Sequence, residues 1–256
     1  MADKPIPLYA HEVRGVQGGR QTQLRRLLKP QPHRTATEAV ETVNIHTGST
    51  GRWRWVRDDH ASDDGYEYLE EFKLPWQPGD RLWVRETWRL VGSGLSAQGH
   101  LYPAEHVVYE ADGAETYITT PTRQHTVSLS RRPSIHMSRW ASRITLVVTD
   151  VRVQRLQEIS EEDAKAEGIG FDFSRDPLAS ARNACWWASA IDSRRGFNSA
   201  RAAFHELWDS LNARRGFSWE GNPWVVAVTF KPYLCNIDKF SGLSPETAAK
   251  EADDAE

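Results

Sequence analysis

Residues 143–153 read Arg-Ile-Thr-Leu-Val-Val-Thr-Asp-Val-Arg-Val, and this stretch decides the fold. Ile144, Leu146 and Val148 alternate with Thr145, Val147 and Thr149, which is the period of a β-strand and makes this the strongest predicted strand in the chain. A helix is predicted directly after it. Ser160 and Asp163 have the spacing of a capping box, and Gly168 provides the stop. The centre of the chain therefore predicts a strand followed by a short capped helix.

Outward from this pair, several further segments have a clear period or a turn at their start. They comprise a strand that continues into a helix at 5–28, a hairpin at 42–72, strands at 81–86, 106–109 and 115–119, a helix at 203–211 and a strand at 224–230. The order lacks the regular alternation of a doubly wound sheet. It predicts an α+β fold with a mixed, strongly curved sheet or small barrel and helices at its edges.

The composition is that of a globular protein, with 39% hydrophobic and 26% charged residues among 256, and with 11 tryptophans. A net charge of −3 argues against a strongly basic protein that coats duplex DNA, although arginines concentrate near the N-terminus and in 131–143. There is no apolar run of ~20 residues and no signal-peptide pattern. With only two cysteines, the expected compartment is the cytoplasm, without a membrane partner.

Several common chemistries are not indicated by the motifs. The glycines at 15, 18 and 19 lack the spacing of a dinucleotide fingerprint or a phosphate loop, and Gly92–Ser96 is not a nucleophile elbow. The nine histidines form no pair at helical i, i+4 spacing and no cluster with cysteine. We therefore expect no metal and no cofactor, and the sequence leaves the oligomeric state open.

One polar block is unusual: residues 19–26 read Gly-Arg-Gln-Thr-Gln-Leu-Arg-Arg. Arginine forks match phosphates and base edges, and amides match the Watson–Crick edges of bases. Interpreted as one or two helical turns, the block is either a ligand-binding surface or an exposed helix face paired with acidic neighbours. In other places an indole lies beside a charged or amide side chain. Such a group is either a stacking pocket for a ligand or a salt bridge over a core tryptophan. These candidates are Arg85, Glu86, Trp88, Arg139, Trp140, Trp219 and Asn222.

Four blocks, at 19–26, 78–88, 132–144 and 218–225, resemble those of ASCH-domain proteins of phages and prophages, in the same order. The stretch 156–168 fits the same group. The resemblance implies a PUA-like β pseudo-barrel with flanking helices, a fold associated with RNA and modified-base recognition. It also implies a phage origin and hence the cytoplasm of the host cell.

The same resemblance implies one domain over residues 1–240. Relative to a minimal ASCH domain, insertions are expected at about 31–74, 90–131 and 171–198. The acidic, alanine-rich residues 241–256 are expected to form a disordered tail.

The superfamily includes small amidohydrolases of 4-acetylcytidine, which use a lysine, a threonine and a glutamate on a later helix. By resemblance the glutamate corresponds to Glu167, but the lysine corresponds to Gln21 and the nucleophilic threonine to Leu24. An amide cannot act as a general base, and leucine has no oxygen with which to attack a carbonyl. The known hydrolysis is therefore disfavoured, although another reaction in the same cleft is not excluded.

Two functions are weighed on these residues. The leading hypothesis is a module that binds a nucleobase, a nucleotide or single-stranded nucleic acid, most simply RNA. Its ligand-binding residues are Arg20, Gln21, Thr22, Arg25, Arg85, Glu86, Trp88, Arg139, Trp140, Trp219 and Asn222, with Glu167 in the same cleft. The alternative is a hydrolase of a modified pyrimidine nucleoside, with Glu167 or Glu86 as acid or base. A third possibility is a phage assembly or host-interaction protein that kept only the fold.

Overall fold

The structure is a computed structural model. It describes residues 2–32, 36–44, 48–58, 66–91, 94–95, 101–102, 106–117, 128–170, 187–188 and 196–240. Most of the expected insertion at 171–198 and the whole of the expected tail lie outside the described residues. Among the described helices, none is long and apolar enough to cross a membrane.

In the described part of the chain, strands far outnumber helices. The strands are β1 (Asp3–Pro7), β2 (Gln23–Leu27), β3 (Glu38–Asn44), β4 (Gly48–Asp58), β5 (Tyr66–Lys73), β6 (Arg81–Arg85), β7 (Trp88–Val91), β8 (Gly94–Leu95), β9 (Leu101–Tyr102), β10 (His106–Tyr109), β11 (Glu115–Tyr117), β12 (Ser128–Arg132), β13 (Thr145–Arg155), β14 (Trp187–Ala188), β15 (Gly196–Phe197) and β16 (Trp224–Tyr233). The α-helices are α1 (Ala10–Gln17), α2 (Glu161–Ala166) and α3 (Ala200–Asn212). Short 3-10 helices span Ser134–His136, Arg139–Ala141, Leu156–Glu158 and Ala213–Arg215.

The chain divides into two compact units, each assembled from separate stretches of sequence. Unit 1 comprises Met1–Gly19, Asp80–Val147 and Lys231–Glu256. Here β1 runs parallel to β6, and β6 runs antiparallel to the first residues of β13. A second sheet has the order β11-β10-β7-β12. Its buried cluster includes Trp88, Tyr109 and Met137.

Unit 2 comprises Arg20–Gly79 and Val148–Phe230. Here β2 pairs antiparallel with β16, and β3, β4 and β5 form an antiparallel sheet of their own. The apolar stripe of α3, which includes Phe204 and Trp208, packs with residues from α2 and with Val225 into one buried cluster. Ser160 caps α2 by accepting a hydrogen bond from the Asp163 amide at 3.0 Å, as its sequence predicts.

The α+β class is confirmed, since strands and helices are mixed without regular alternation. The described strands do not close into a barrel, because every sheet they form has two edge strands. The prediction of a helix running past Gly19 to residue 28 is wrong. Helix α1 ends at Gln17, Gly19 has a φ of +67°, and Gln23–Leu27 form a strand whose backbone partners are residues 225–229.

Candidate functional site

The predicted site residues fall in both units, and we describe the two sets separately. In unit 2 the block 20–26 is extended, and contacts on both sides hold it. The Thr22 amide donates to the Ala166 carbonyl at 2.9 Å, and the Thr22 carbonyl accepts from the Phe230 amide at 2.9 Å. Gln21 and Glu167 form an isolated antiparallel bridge. The end of helix α2 is therefore fixed against the block.

Arg25 is the centre of a polar cluster formed by Gln21, Gln23, Arg25, Asp163 and Glu167. Its side chain is fully buried, and its guanidinium reaches Asp163 at 2.7 Å and Glu167 at 2.8 Å. It also donates to the Gln23 side-chain oxygen. The second Glu167 oxygen accepts the Arg25 amide at 3.2 Å, so both oxygens of this carboxylate are engaged. The result is a charge-assisted network inside the protein.

Asp163 carries the exposed end of this cluster. Burial acts to raise the pKa of Asp163, but a hydrogen bond from Arg152 and the charge of Arg25 outweigh it, so the pKa is lowered. Gln23 also donates to Asp163, at 3.2 Å, and to Thr229. Asp163 therefore remains ionised and holds the arginine from the helix side.

Gln21 stands where the resemblance places a lysine, and it is 1% exposed. Its side-chain nitrogen donates to the Gln23 carbonyl at 3.2 Å. Gly168, with a φ of +88°, lies so close that an added Cβ would sit 3.1 Å from the Gln21 amide oxygen. Leu24 is fully buried, whereas Arg20 is exposed. Gln21, Arg25 and Glu167 therefore lie together, as the sequence predicts. They form a packed interior, however, and not the expected open cleft.

Trp219 and Asn222, also in unit 2, have structural contacts. Trp219 is 7% exposed, and its indole stacks on the His205 ring with a centroid distance of 4.7 Å. Asn222 has a positive φ of 41°, and its side chain accepts the Gln157 amide at 2.9 Å. Both residues shape the loop that leads into β16.

In unit 1, Glu86 is bound by an arginine that the sequence grouped only with a basic cluster. Arg143 donates to its two oxygens at 2.8 Å each, and the Glu86 side chain is 2% exposed. Burial raises the pKa of Glu86, and the hydrogen bonds from Arg143 offset this only in part. Arg143 also contacts Asp112 at 2.8 Å and lies 4.0 Å from the Tyr109 ring centroid.

The other predicted candidates of unit 1 are Arg85, Trp88, Arg139 and Trp140. Together with Arg132 and Ile135, which were not predicted, they define what we call the aromatic–arginine surface. Trp88 is buried, but Trp140 is 45% exposed, and the two rings meet edge to face at 6.3 Å. The Arg132 guanidinium lies 5.2 Å from the Trp88 centroid. Ile135, three residues after Arg132, is 65% exposed.

The backbone under Trp140 is held by Asn236, a residue that sequence reasoning missed. Its side-chain nitrogen donates to the carbonyls of Arg139 at 2.9 Å, Trp140 at 3.2 Å and Ser142 at 2.6 Å. No periodicity marks such a contact, since the two segments are more than ninety residues apart. Trp140 is therefore an exposed ring on a fixed backbone.

Two arginines frame this surface. Arg139 pairs with Asp3 at 2.6 Å and Asp238 at 2.8 Å, and the hydrogen bonds to Asp238 and Asp3 raise the pKa of Arg139. Arg85 stacks over Trp83 at 4.5 Å and donates to the Ile135 carbonyl at 3.3 Å. Its Nε is buried and has no acceptor among the described residues.

Within the described part of the chain, no group of three or more His, Cys, Asp or Glu side chains could hold a metal ion. The predicted site residues form two kinds of arrangement. The polar cluster of unit 2 is a closed ionic network, and the aromatic–arginine surface of unit 1 combines an exposed indole with cationic donors. Comparison of the chain with protein-family models, curated proteins and solved structures gives no match.

Proposed function

We propose that this protein binds single-stranded nucleic acid, most simply RNA, through the aromatic–arginine surface of unit 1. The observation that carries the proposal is Trp140, which is 45% exposed while Asn236 fixes its backbone. A base stacked on such a ring gains roughly 1–3 kcal/mol without any requirement for a particular sequence. Because the backbone at Trp140 is already held in place, little backbone entropy is lost on binding.

The charges of the surface suit a phosphate backbone beside a stacked base. Arg132 lies over Trp88, and Arg85 stacks over Trp83 and donates to the Ile135 carbonyl. Arginine is the side chain best adapted to phosphate, because its donors form a planar fork. The overall charge of −3 makes this a local surface and not a general cationic coat.

Binding is proposed in preference to hydrolysis because of the state of the two carboxylates. Both oxygens of Glu167 accept hydrogen bonds from Arg25, and both oxygens of Glu86 accept from Arg143. Leu24, at the position where the resemblance places a nucleophilic threonine, is buried and has no reactive atom. A general acid or base must instead reach the substrate within hydrogen-bond distance.

The family and its setting are part of the same proposal. The four sequence blocks support an ASCH domain with a PUA-like fold, of phage origin and located in the cytoplasm of the host cell. The α+β class is compatible with that fold. Modified nucleosides belong to the ligand class that the resemblance implies, so they are tested with the polymers.

The test is a titration of the full chain with fluorescently labelled single-stranded RNA, single-stranded DNA and duplex DNA of one length. We expect single strands to bind more tightly than duplex, with an affinity that falls as salt rises. Modified nucleosides, added separately, should quench tryptophan fluorescence. If neither single strand binds and no nucleoside quenches at high micromolar concentration, the proposal is wrong.

A further inference from the structure

Two carboxylates occupy one edge of the Arg139 guanidinium, beside the exposed Trp140. Asp238 accepts a hydrogen bond from the Arg139 Nε at 2.8 Å, and the Arg139 Nη2 lies 2.8 Å from the same oxygen. Asp3 accepts from that Nη2 at 2.6 Å. The Nε and Nη2 donors form one of the planar forks with which arginine binds a phosphate through two hydrogen bonds. An incoming phosphate therefore meets an edge that carboxylates already hold.

The two carboxylates differ in how firmly they are bound. The Asp3 side chain is 20% exposed, and its other oxygen accepts from Arg81 at 2.7 Å. The Asp238 side chain is 57% exposed. An ion pair in contact with solvent contributes little free energy, because water and salt screen it. Asp238 is therefore the partner of Arg139 that another anion replaces at least cost, whereas Asp3 keeps its place.

The segment that carries Asp238 is fixed close to Arg139. Ile237, the residue before Asp238, is fully buried, and the Asp238 amide donates to the Asn236 side-chain oxygen at 2.9 Å. The nitrogen of the same Asn236 side chain donates to the Arg139 carbonyl at 2.9 Å. One short segment thus contacts both the backbone of Arg139 and its guanidinium. The carboxylate remains near the guanidinium even when the ion pair is broken.

We propose that Asp238 regulates the aromatic–arginine surface as a built-in competitor of RNA. In the free protein it occupies the Nε–Nη2 edge of Arg139, and a phosphate beside the base stacked on Trp140 replaces it on binding. The inference rests on the proposed function, since the bound strand supplies the phosphate. The exchange breaks one ion pair and forms another, so Asp238 weakens RNA binding by the value of one exposed pair.

The experiment is a double-mutant cycle on the full chain, read by fluorescence anisotropy with labelled single-stranded RNA. Low salt is used, because the exposed pair is then strongest and the loss of one arginine leaves binding measurable. Asp238→Asn should bind RNA about 1.5- to 5-fold more tightly than the unchanged chain. Arg139→Gln should bind it more weakly. Adding Asp238→Asn to Arg139→Gln should give no gain, because no guanidinium is left to release.

A matched control separates this competition from a general effect of charge. Asp150, in unit 2, has a side chain of 53% exposure and pairs with Arg152 at 3.3 Å. Asp150→Asn removes the same charge from the protein and should leave RNA affinity unchanged. The gain from Asp238→Asn should also shrink as salt rises, since salt screens the pair that it removes.

The proposal is overturned if Asp238→Asn brings no gain, or if its gain is the same with and without Arg139. It is equally overturned if Asp150→Asn gives the same gain, or if Arg139→Gln binds RNA as the unchanged chain does. In each of these cases RNA binding by the unchanged chain still supports the proposed function. If the unchanged chain binds no single strand, the proposed function is wrong and the regulation falls with it.

Discussion

The guanidinium of Arg143 and the carboxylate of Glu86 face each other through two parallel hydrogen bonds of 2.8 Å, with the carboxylate 2% exposed. This pair joins the segment that precedes β13 to the end of β6. Bidentate geometry makes it strong, and burial makes each partner dependent on the other.

Replacing Arg143 with methionine should lower the free energy of unfolding by about 3–5 kcal/mol, because Glu86 is left buried without its cation. The loss should be larger at pH 8 than at pH 5. Without Arg143 the pKa of Glu86, already raised by burial, rises further, and stability falls as pH increases through it. Urea denaturation at both pH values measures the difference. The control Arg54→Met breaks a pair with the exposed Glu71, which solvent screens, and should lower the free energy of unfolding far less.

Asp112 gives a pH dependence of opposite sign. Burial acts to raise its pKa, but hydrogen bonds from Arg143, from the Ala114 amide and from Gln17 lower the pKa of Asp112 to about 2. Its contribution to stability is complete above its ordinary value of 3.8 and is lost as pH falls toward about 2. The gap in unfolding free energy between the unchanged chain and Asp112→Asn should therefore narrow over this range. A gap that stays constant from pH about 5 to about 2 would contradict the assignment.

Trp140→Ala should weaken single-stranded RNA binding roughly 5- to 150-fold, which corresponds to the stacking of one base. Its thermal stability should change little, because nearly half of the side chain is exposed. Tyr68→Ala is the matched control: it removes an aromatic ring of 50% exposure from unit 2. Equal affinities for both variants in fluorescence anisotropy would rule out Trp140 as the stacking residue.

Glu167→Gln separates binding from catalysis. The substitution should cost about 2–3 kcal/mol of unfolding free energy, because the buried Arg25 loses one charged partner and keeps Asp163. RNA affinity should stay within twofold of the unchanged chain, and acylated nucleosides should give no new product by mass spectrometry with either protein. The exposed neighbour Glu162→Gln should leave stability unchanged. Turnover by the unchanged chain that disappears in Glu167→Gln would instead favour the hydrolase.

Gly168→Ala tests the close approach to Gln21. The positive φ costs a non-glycine residue about 1–2 kcal/mol at any such position. The new Cβ would also meet the Gln21 side chain at 3.1–3.3 Å. Gly216 has nearly the same φ, +84°, and an added Cβ there would meet nothing within 4 Å. Gly216→Ala therefore measures only the free-energy cost of the positive φ. We expect Gly168→Ala to be the more destabilising of the two in urea denaturation.

Much of the fold could be predicted from local patterns. The alternation of apolar residues predicted both ends of β6 and of β13 to within two residues. The spacing of Ser160 and Asp163 predicted the cap of α2. Strand β2 could not be predicted in this way. Its partners are residues 225–229, about two hundred positions further along, and nothing in Gln23–Leu27 itself opposes a helix.

The site was predictable in composition but not in exposure. Arg25 and Arg20 look alike in the sequence, yet Arg25 is buried between Asp163 and Glu167, whereas Arg20 is exposed. The i, i+4 spacing of those two carboxylates on one short segment was the available signal that a cation must lie between them. Trp88 and Trp140 likewise share a context beside arginine, and only the packing of unit 1 distinguishes the buried ring from the exposed one.

The three hydrogen bonds from Asn236 have a consequence for how the protein is made. A ribosome completes residues 139–142 almost a hundred codons before it adds Asn236. Throughout that interval the nascent chain lacks the amide that fixes the backbone at Trp140. The Trp140 backbone acquires its final support only when synthesis has passed residue 236, so a chain interrupted earlier would carry the tryptophan without these hydrogen bonds.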